Sequence, residues 1–178
     1  AHMKTDEGSG VLYDAVYNPE YGRVHFELLN KRRKVDAQDT HLVGKCSHAV
    51  RAFRKEVADP AYTLVRAEQS NSSVIIGDRF MLKVFRRLYD GVNPDLEIGR
   101  YLTDRVGFEN IPAVHGSLEL KPKRSETMTL AMLQEFIPNE GDAWSYTTDQ
   151  AAHFLGDVQA RMTTGEAPPD RGADQSTL

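Results

Sequence analysis

Phe80-Met81-Leu82-Lys83-Val84-Phe85 decides the fold. Its apolar, β-favouring residues make it a strand, and one ammonium sits inside it; an unpaired buried ammonium is costly, so Lys83 must point outward or find a partner. Just upstream, Ser73-Val74-Ile75-Ile76 reads as a second strand, joined to the first by the turn pair Gly77-Asp78. Downstream, Asn93-Pro94-Asp95 opens a helix that runs to about Val106, with Leu96, Arg100 and Tyr101 on adjoining turns and Gly107 as its stop. Residues 62–67, 114–120 and 127–136 complete a set of five strands, and Lys121 to Glu126 make a solvated turn between the last two. One antiparallel sheet is expected, with the helix from Pro94 against it and Ile75, Leu82, Leu130 and Met132 buried. Pro138-Asn139-Glu140-Gly141-Asp142 reads as a linker. A helix over 148–163 is built on Ala151, Phe154, Leu155, Val158 and Met162, and the tail from Gly165 has little to bury.

Toward the N-terminus, Ala1-His2-Met3 reads as a tag remnant. Residues 12–17 alternate as a strand with Tyr13, Ala15 and Tyr17 on one face. Asn18-Pro19 then starts a helix carrying Tyr21, Val24, His25, Leu28 and Leu29, although Val24, Phe26 and Leu28 also alternate as a strand would. The run Lys31-Arg32-Arg33-Lys34 is a solvated, cationic helix end. Residues 40–45 suggest a strand and Ala49, Val50, Phe53 and Val57 a short amphipathic helix; Asp59-Pro60 breaks it and marks a boundary. The resulting division is a remnant (1–3), an N-terminal cap subdomain (4–60), a sheet-bearing lobe (61–142) and a further helix with a loose tail (143–178).

Composition narrows the class. The 178 residues carry 22 Lys+Arg against 26 Asp+Glu, a net charge of −4, which argues against a nucleic-acid-coating protein. The apolar runs at 75–76 and 130–133 are far shorter than the roughly 20 residues of a membrane helix. A single cysteine, Cys46, allows no internal disulfide and suits a reducing cytoplasm. His41, Cys46 and His48 are metal-type ligands close in sequence, but no second cysteine completes a zinc set, and no metal site is assigned.

The order strand, polar loop, strand, turn, strand, helix, strand, strand, linker, helix is the layout of a kinase small lobe followed by the first helix of a large lobe. In that layout Lys83 stands on the third strand and Glu97 on the next helix, where a carboxylate could hold the lysine on the phosphates of ATP. Leu133-Gln134-Glu135-Phe136-Ile137-Pro138 would be the hinge that pairs with adenine. The plainer alternative is a solvent-face Lys–Glu pair of little energetic consequence. The turn Gln69-Ser70-Asn71-Ser72-Ser73 lacks the glycines of a protein-kinase phosphate loop, so small side chains and backbone amides would have to hold the phosphates.

Four segments together resemble the small lobe of bacterial maltokinases: Glu68-Gln69-Ser70-Asn71-Ser72-Ser73-Val74, the stretch from Met81 to Leu88, Asn93-Pro94-Asp95-Leu96-Glu97-Ile98-Gly99-Arg100-Tyr101-Leu102, and the run from Gln134 to Trp144. Leu12-Tyr13-Asp14-Ala15 resembles the cap that precedes this lobe, especially in the version fused behind a trehalose synthase. The resemblance covers most of residues 11–162 and implies an α+β fold, a cap subdomain followed by a protein-kinase-like small lobe. It implies ATP and Mg²⁺ as cofactors, maltose as substrate, maltose 1-phosphate as product and a place in α-glucan metabolism, while charge, apolar run length and the single cysteine set the expectation of a cytoplasmic protein with no nucleic-acid or membrane partner. By the same resemblance Lys83 binds the ATP phosphates and Glu97 orients it; Ser70, Asn71, Ser72 and Ser73 cradle the phosphates, Gln134, Glu135, Phe136 and Ile137 form the adenine hinge, and Trp144 begins the large lobe. A catalytic aspartate and the metal ligands of a kinase are missing: His153-Phe154-Leu155-Gly156-Asp157 lacks their pattern. The expectation is therefore a catalytically silent piece of a longer sugar kinase. The rival is a non-catalytic docking or regulatory module of a trehalose synthase fusion.

Overall fold

From its N-terminus the chain first forms a separate two-stranded hairpin, β1 (His2–Thr5) and β2 (Gly8–Val11). A 3-10 turn at Ala15–Tyr17 follows, where a strand was expected over 12–17. The Asp14 carboxylate accepts from the Val16 amide at 3.1 Å and winds the backbone. The alternation of Tyr13 and Tyr17 had no buried face behind it, since both rings are exposed. Helix α1 (Glu20–Asn30) starts where the Asn18 side chain accepts from the Glu20 amide at 2.9 Å. It buries Phe26 and Leu29 and leaves Val24 exposed, which settles the helix-or-strand ambiguity and moves the buried stripe onto Phe26.

Next come β3 (Lys34–Ala37), β4 (Thr40–Cys46) and α2 (His48–Glu56). The strands β5 (Tyr62–Val65), β6 (Asn71–Ile76) and β7 (Phe80–Phe85) follow. The β6–β7 connection, Gly77 to Arg79, places Gly77 and Asp78 at φ of 56° and 52°, a left-handed pair closed by the Arg79 amide donating to the Ile76 carbonyl at 3.2 Å. Helix α3 (Pro94–Tyr101) is capped by Asn93, which accepts from the Asp95 amide; it continues as a π-turn over Leu102–Val106 and ends on Gly107. The strands β8 (Val114–Pro122) and β9 (Met128–Glu135) complete the sheet. Helix α4 (Ala143–Thr164) starts five residues earlier than its apolar pattern suggests, because Asp142 accepts from the Ser145 amide at 2.8 Å and caps it. The structure is a computed structural model and describes residues 1–18, 20–31, 34–37, 39–65, 71–139 and 141–165. Pro19, Arg32, Arg33, residues 66–70 and the tail from 166 lie outside that set.

The five expected strands do share one antiparallel sheet, but it has seven strands, in the order β3-β4-β8-β9-β7-β6-β5. The two extra strands come from the expected cap. Along β4–β8, Thr40 pairs with Pro122 and Cys46 with Gly116, so the break at Asp59-Pro60 is a turn inside one packed body. Residues Ala1–Ile137 form one compact unit and Pro138–Leu178 a second. The first unit thus runs through the boundary expected at residue 60, and the division falls between Ile137 and Pro138.

Period-two alternation divides the sheet's side chains between two faces. One face carries Val74, Ile76, Phe80, Leu82, Val84, Ala131, Leu133 and Leu118, and it is covered by Phe26 and Leu29 of α1 and Val50 and Phe53 of α2. An aromatic chain runs through this layer, with Phe53 edge-on to Phe80 at 5.3 Å and Phe80 edge-on to His115 at 5.2 Å. On the other face α3 sets Leu96 against Phe85, Val114 and Met132. Leu82 and Met132 are buried as expected, while Ile75 and Leu130 are only half-buried. Among the described residues, no helix is long and apolar enough to cross a membrane. In the second unit, α4 carries Trp144, Leu155 and Met162 as exposed side chains.

Candidate functional site: the Lys83 cleft

Lys83 sits on β7, in the interior of the sheet, and the register fixes its neighbours. Lys45, Ser117, Met132, Lys83 and Ser73 stand opposite one another in a single row across five adjacent strands. The row lies on the α3 face. The helix covers Met132 and leaves a cleft of about 340 Å³ beside it, lined by Lys83, Met132, Val114 and Gln134 from the sheet and by Asp95, Ile98, Gly99 and Leu102 from the α3 side. A polar tip on an apolar stem at the wall of such a cleft is a placement that suits recognition of an anion.

Helical geometry decides which carboxylate joins it. Asp95, Ile98, Gly99 and Leu102 fall on one side of α3, at the 3- and 4-residue spacing of a single face. Glu97 is two residues from Asp95 and so points nearly opposite; it is exposed. Among the described residues the ion pairs include none between Lys83 and Glu97. Asp95 lines the Lys83 cleft in this structure and Glu97 does not, and among the described residues neither carboxylate forms an ion pair with Lys83. No sequence signal separates the two, since Leu96 is the buried residue of the helix and both Asp95 and Glu97 flank it.

The expected phosphate turn divides in the same way. Ser70 lies outside the described residues. Asn71, Ser72 and Ser73 are not a turn but the first half of β6, paired with Phe85, Val84 and Lys83. Alternation puts Asn71 and Ser73 on the Lys83 face. It sends Ser72 to the opposite face, where its hydroxyl accepts from Arg86 Nε at 3.2 Å. Three consecutive residues of an extended strand cannot converge on one ligand. Asn71 also lines a neighbouring cavity of about 520 Å³, with Phe85, Arg87, Tyr89, Asn93, Pro94 and Asp95. Asp95 borders both spaces. Arg87, which sequence reasoning passed over, brings a second cation to this end of α3.

At the expected hinge, Gln134 faces the cleft, but two backbone amides are already engaged. The Glu135 amide donates to Ala113 at 2.8 Å and the Phe136 amide to Arg79 at 3.0 Å. Adenine pairing through those two donors is excluded in this conformation. Ile137 follows, half exposed at the end of the unit.

On the far side of α3 lies a densely bonded polar group. The Glu119 carboxylate is nearly buried, and Lys45 Nζ donates to both of its oxygens, at 3.0 and 2.8 Å. The Ser117 hydroxyl donates to Glu119 Oε1 at 2.8 Å and accepts from the Arg100 guanidinium at 2.9 Å. Burial alone would push the Glu119 carboxyl up; the hydrogen bonds from Lys45 and Ser117 and the charges of Lys45 and Arg100 outweigh it and hold the group below its ordinary range. Nearby, Ser47 Oγ and His115 Nδ1 share a hydrogen bond of 3.1 Å, and burial pushes His115 below the ordinary histidine range.

His41 and Cys46 fall on opposite faces of β4, so strand alternation separates the metal-type ligands. Among the described residues, no group of three or more His, Cys, Asp or Glu side chains is placed to hold a metal ion.

No family model matches the chain. Among solved structures it is similar to a glucosamine kinase in complex with glucosamine, ADP and inorganic phosphate, at 19% identity and a TM-score of 0.47. It is also similar to a glucosamine kinase in crystal form B, at 20% identity and a TM-score of 0.48. The alignments cover 93% and 94% of this chain but only 34% and 40% of those chains.

Proposed function

We propose that this chain is the nucleotide-holding part of an ATP-dependent sugar kinase whose whole form transfers phosphate to maltose, giving maltose 1-phosphate. The observation that carries the reading is Lys83: an ammonium on the interior strand β7, at the wall of a cleft closed on one side by the helix that follows its strand. The element order of a kinase small lobe and the long motif resemblance to maltokinases support it. In this reading Lys83 meets the phosphates of ATP, with Asp95 as its carboxylate neighbour. Asn71, Ser73 and Gln134 supply polar groups on the same face. Ser70, Glu97, Glu135, Phe136 and Ile137 keep their proposed places in the family site only in a rearranged, nucleotide-bound form.

ATP supplies the transferable phosphoryl group and Mg²⁺ neutralises its charge. The described residues of this chain offer Mg²⁺ no ligand cluster. Its ligands, the proton-accepting aspartate and the maltose pocket are assigned to the remainder of the whole protein, as is any fused trehalose synthase domain. The test is calorimetric titration of the chain with ATP, paired with assay of the whole protein. Weak ATP binding that disappears in Lys83→Ala, and maltose 1-phosphate formation lost on the same substitution, are expected. A whole protein that keeps full activity without Lys83, or that shows no phosphotransfer at all, overturns the reading and leaves the docking module.

A further inference from the structure

Opposite the Lys83 cleft, the other flank of α3 bounds a smaller cavity of about 260 Å³. Three parts of the chain meet there: Lys45 and Ser47 at and just beyond the end of β4, Arg100 and Asp104 on α3 and its π-turn, and Val114 and His115 at the start of β8. The β8–β9 register slips between Val114 and Gly116, so His115 is the extra residue of a bulge. Its ring stands edge-on to Phe80, and its Nδ1 lies 3.1 Å from Ser47 Oγ. Ser47 occupies the N-cap position of α2, yet its side chain caps no helix amide. The imidazole holds it instead.

The protein does not balance the charge at this cavity. Lys45 Nζ, Arg100 Nη2 and Lys121 Nζ stand 2.8, 3.8 and 3.9 Å from the Glu119 carboxylate. One carboxylate neutralises one of these three cations. Asp104, which makes no ion pair among the described residues, supplies one further negative charge at the rim. The balance stays positive, and the crowded cations repel one another until an anion joins them. Access follows the same division: 47% of the Lys45 side chain and 35% of the Arg100 side chain are exposed, against 7% for Glu119. Arg100 commits one nitrogen to Ser117, and its other donors have no protein partner among the described residues.

We propose that this cavity is a binding site for a phosphate group, held by the Lys45 ammonium, the Arg100 guanidinium and the Ser47 hydroxyl. A tetrahedral dianion suits donors that approach from separate elements, and charge-assisted hydrogen bonds of this kind are the strong ones. In the tautomer that carries its proton on Nδ1, His115 donates to Ser47 Oγ and leaves the hydroxyl proton for the cavity. Glu119 keeps the two cations in place from below. The site makes no use of Lys83 and stands whether or not the nucleotide reading holds.

Titration of the ¹⁵N-labelled full chain with inorganic phosphate, at an ionic strength held constant with sodium chloride, tests the site. Saturable shifts are expected at the backbone amides of Ser47, His115 and Gly116 and at Arg100 Nε. Arg100→Met should weaken binding about tenfold and Ser47→Ala about threefold, the losses of a charged and a neutral hydrogen bond. Lys83→Ala and Lys55→Ala, which remove cations outside the cavity, should leave the affinity at this site unchanged. Ser47→Ala keeps the Lys45–Glu119–Ser117–Arg100 bonds, so it decides the matter if Arg100→Met does not fold. Glucose 1-phosphate and glucose form the second arm. Binding of the ester without a response to glucose supports a phosphate monoester as the ligand, and a response to inorganic phosphate alone supports the free ion. Shifts that fail to saturate, or that leave Ser47 and His115 unmoved, overturn the proposal. So does an affinity that Ser47→Ala and Arg100→Met leave unchanged, or that Lys55→Ala weakens as much as they do.

Discussion

Ser117 shows how much one hydroxyl can carry. It is fully buried, accepts from Arg100 and donates to Glu119. Ser117→Ala leaves a guanidinium and a buried carboxylate each short of a partner, a loss of about 1–3 kcal/mol in urea unfolding at neutral pH. Because the Glu119 carboxyl is held below its ordinary range in the fold, the stability it contributes is fully present above the unfolded carboxylate range and is lost as pH falls through the depressed folded value. The gap between wild type and Ser117→Ala should therefore narrow in acid. His115 behaves in the opposite chemical sense but with the same sign. Burial lowers its folded value, so the unfolded chain takes up the proton first and stability declines as pH drops below about 6.5. Replacing His115 with Asn should flatten that part of the stability–pH curve. None of this was legible in the sequence: Lys45, Ser117 and Glu119 look like ordinary strand-face polars until the β4–β8 register brings them together.

At the level of elements, the reading succeeded where a local signal fixes a local structure. The hairpin at Gly77-Asp78, the Asn93-Pro94 start of α3 and the apolar stripe of α2 needed nothing from the rest of the chain. It failed where alternation was read without knowing which face is buried, as at 12–17, and where three small polar residues were taken for a turn although Asn71, Ser72 and Ser73 could extend β6 by pairing with β7. That Lys83 stands inside an apolar strand was legible; which side of α3 borders its cleft was not, because that depends on the tertiary contacts that bury Leu96. Close approach between elements gives a sharper test. A Cβ on Gly44 of β4 would stand 2.2 Å from the Leu28 carbonyl oxygen of α1, and a backbone atom cannot give way as a flexible side chain can. Gly44→Ala should cost about 3 kcal/mol, measured as a lowered urea midpoint with an unchanged slope.

For the whole molecule, the expected catalytic silence is the prediction with the most reach. Incubation of the chain with ATP, Mg²⁺ and maltose should give no maltose 1-phosphate above background in a coupled assay, since electrostatic stabilisation by Lys83 alone supplies neither a proton acceptor nor metal ligands. Sugar-dependent turnover would show that the chemistry lies in residues assigned here to packing. The α+β class was readable from the start, but the extent of the sheet was not. Nothing local announces that residues 40–46 will cross to 116–122, because that pairing is decided by which strand surfaces remain after β7 and β9 have paired.

The β4–β8 pairing also orders events during synthesis. Phe26, Leu29, Val50 and Phe53 leave the ribosome well before the strands that cover them, and Cys46 waits for Gly116 to complete its ladder. Such non-local closure slows folding and leaves apolar helix faces without a cover while translation continues. Slow translation across residues 60–113 should therefore reduce the yield of folded protein more than the same delay placed after Glu135, and this is the stretch where a chaperone would find the nascent chain most receptive.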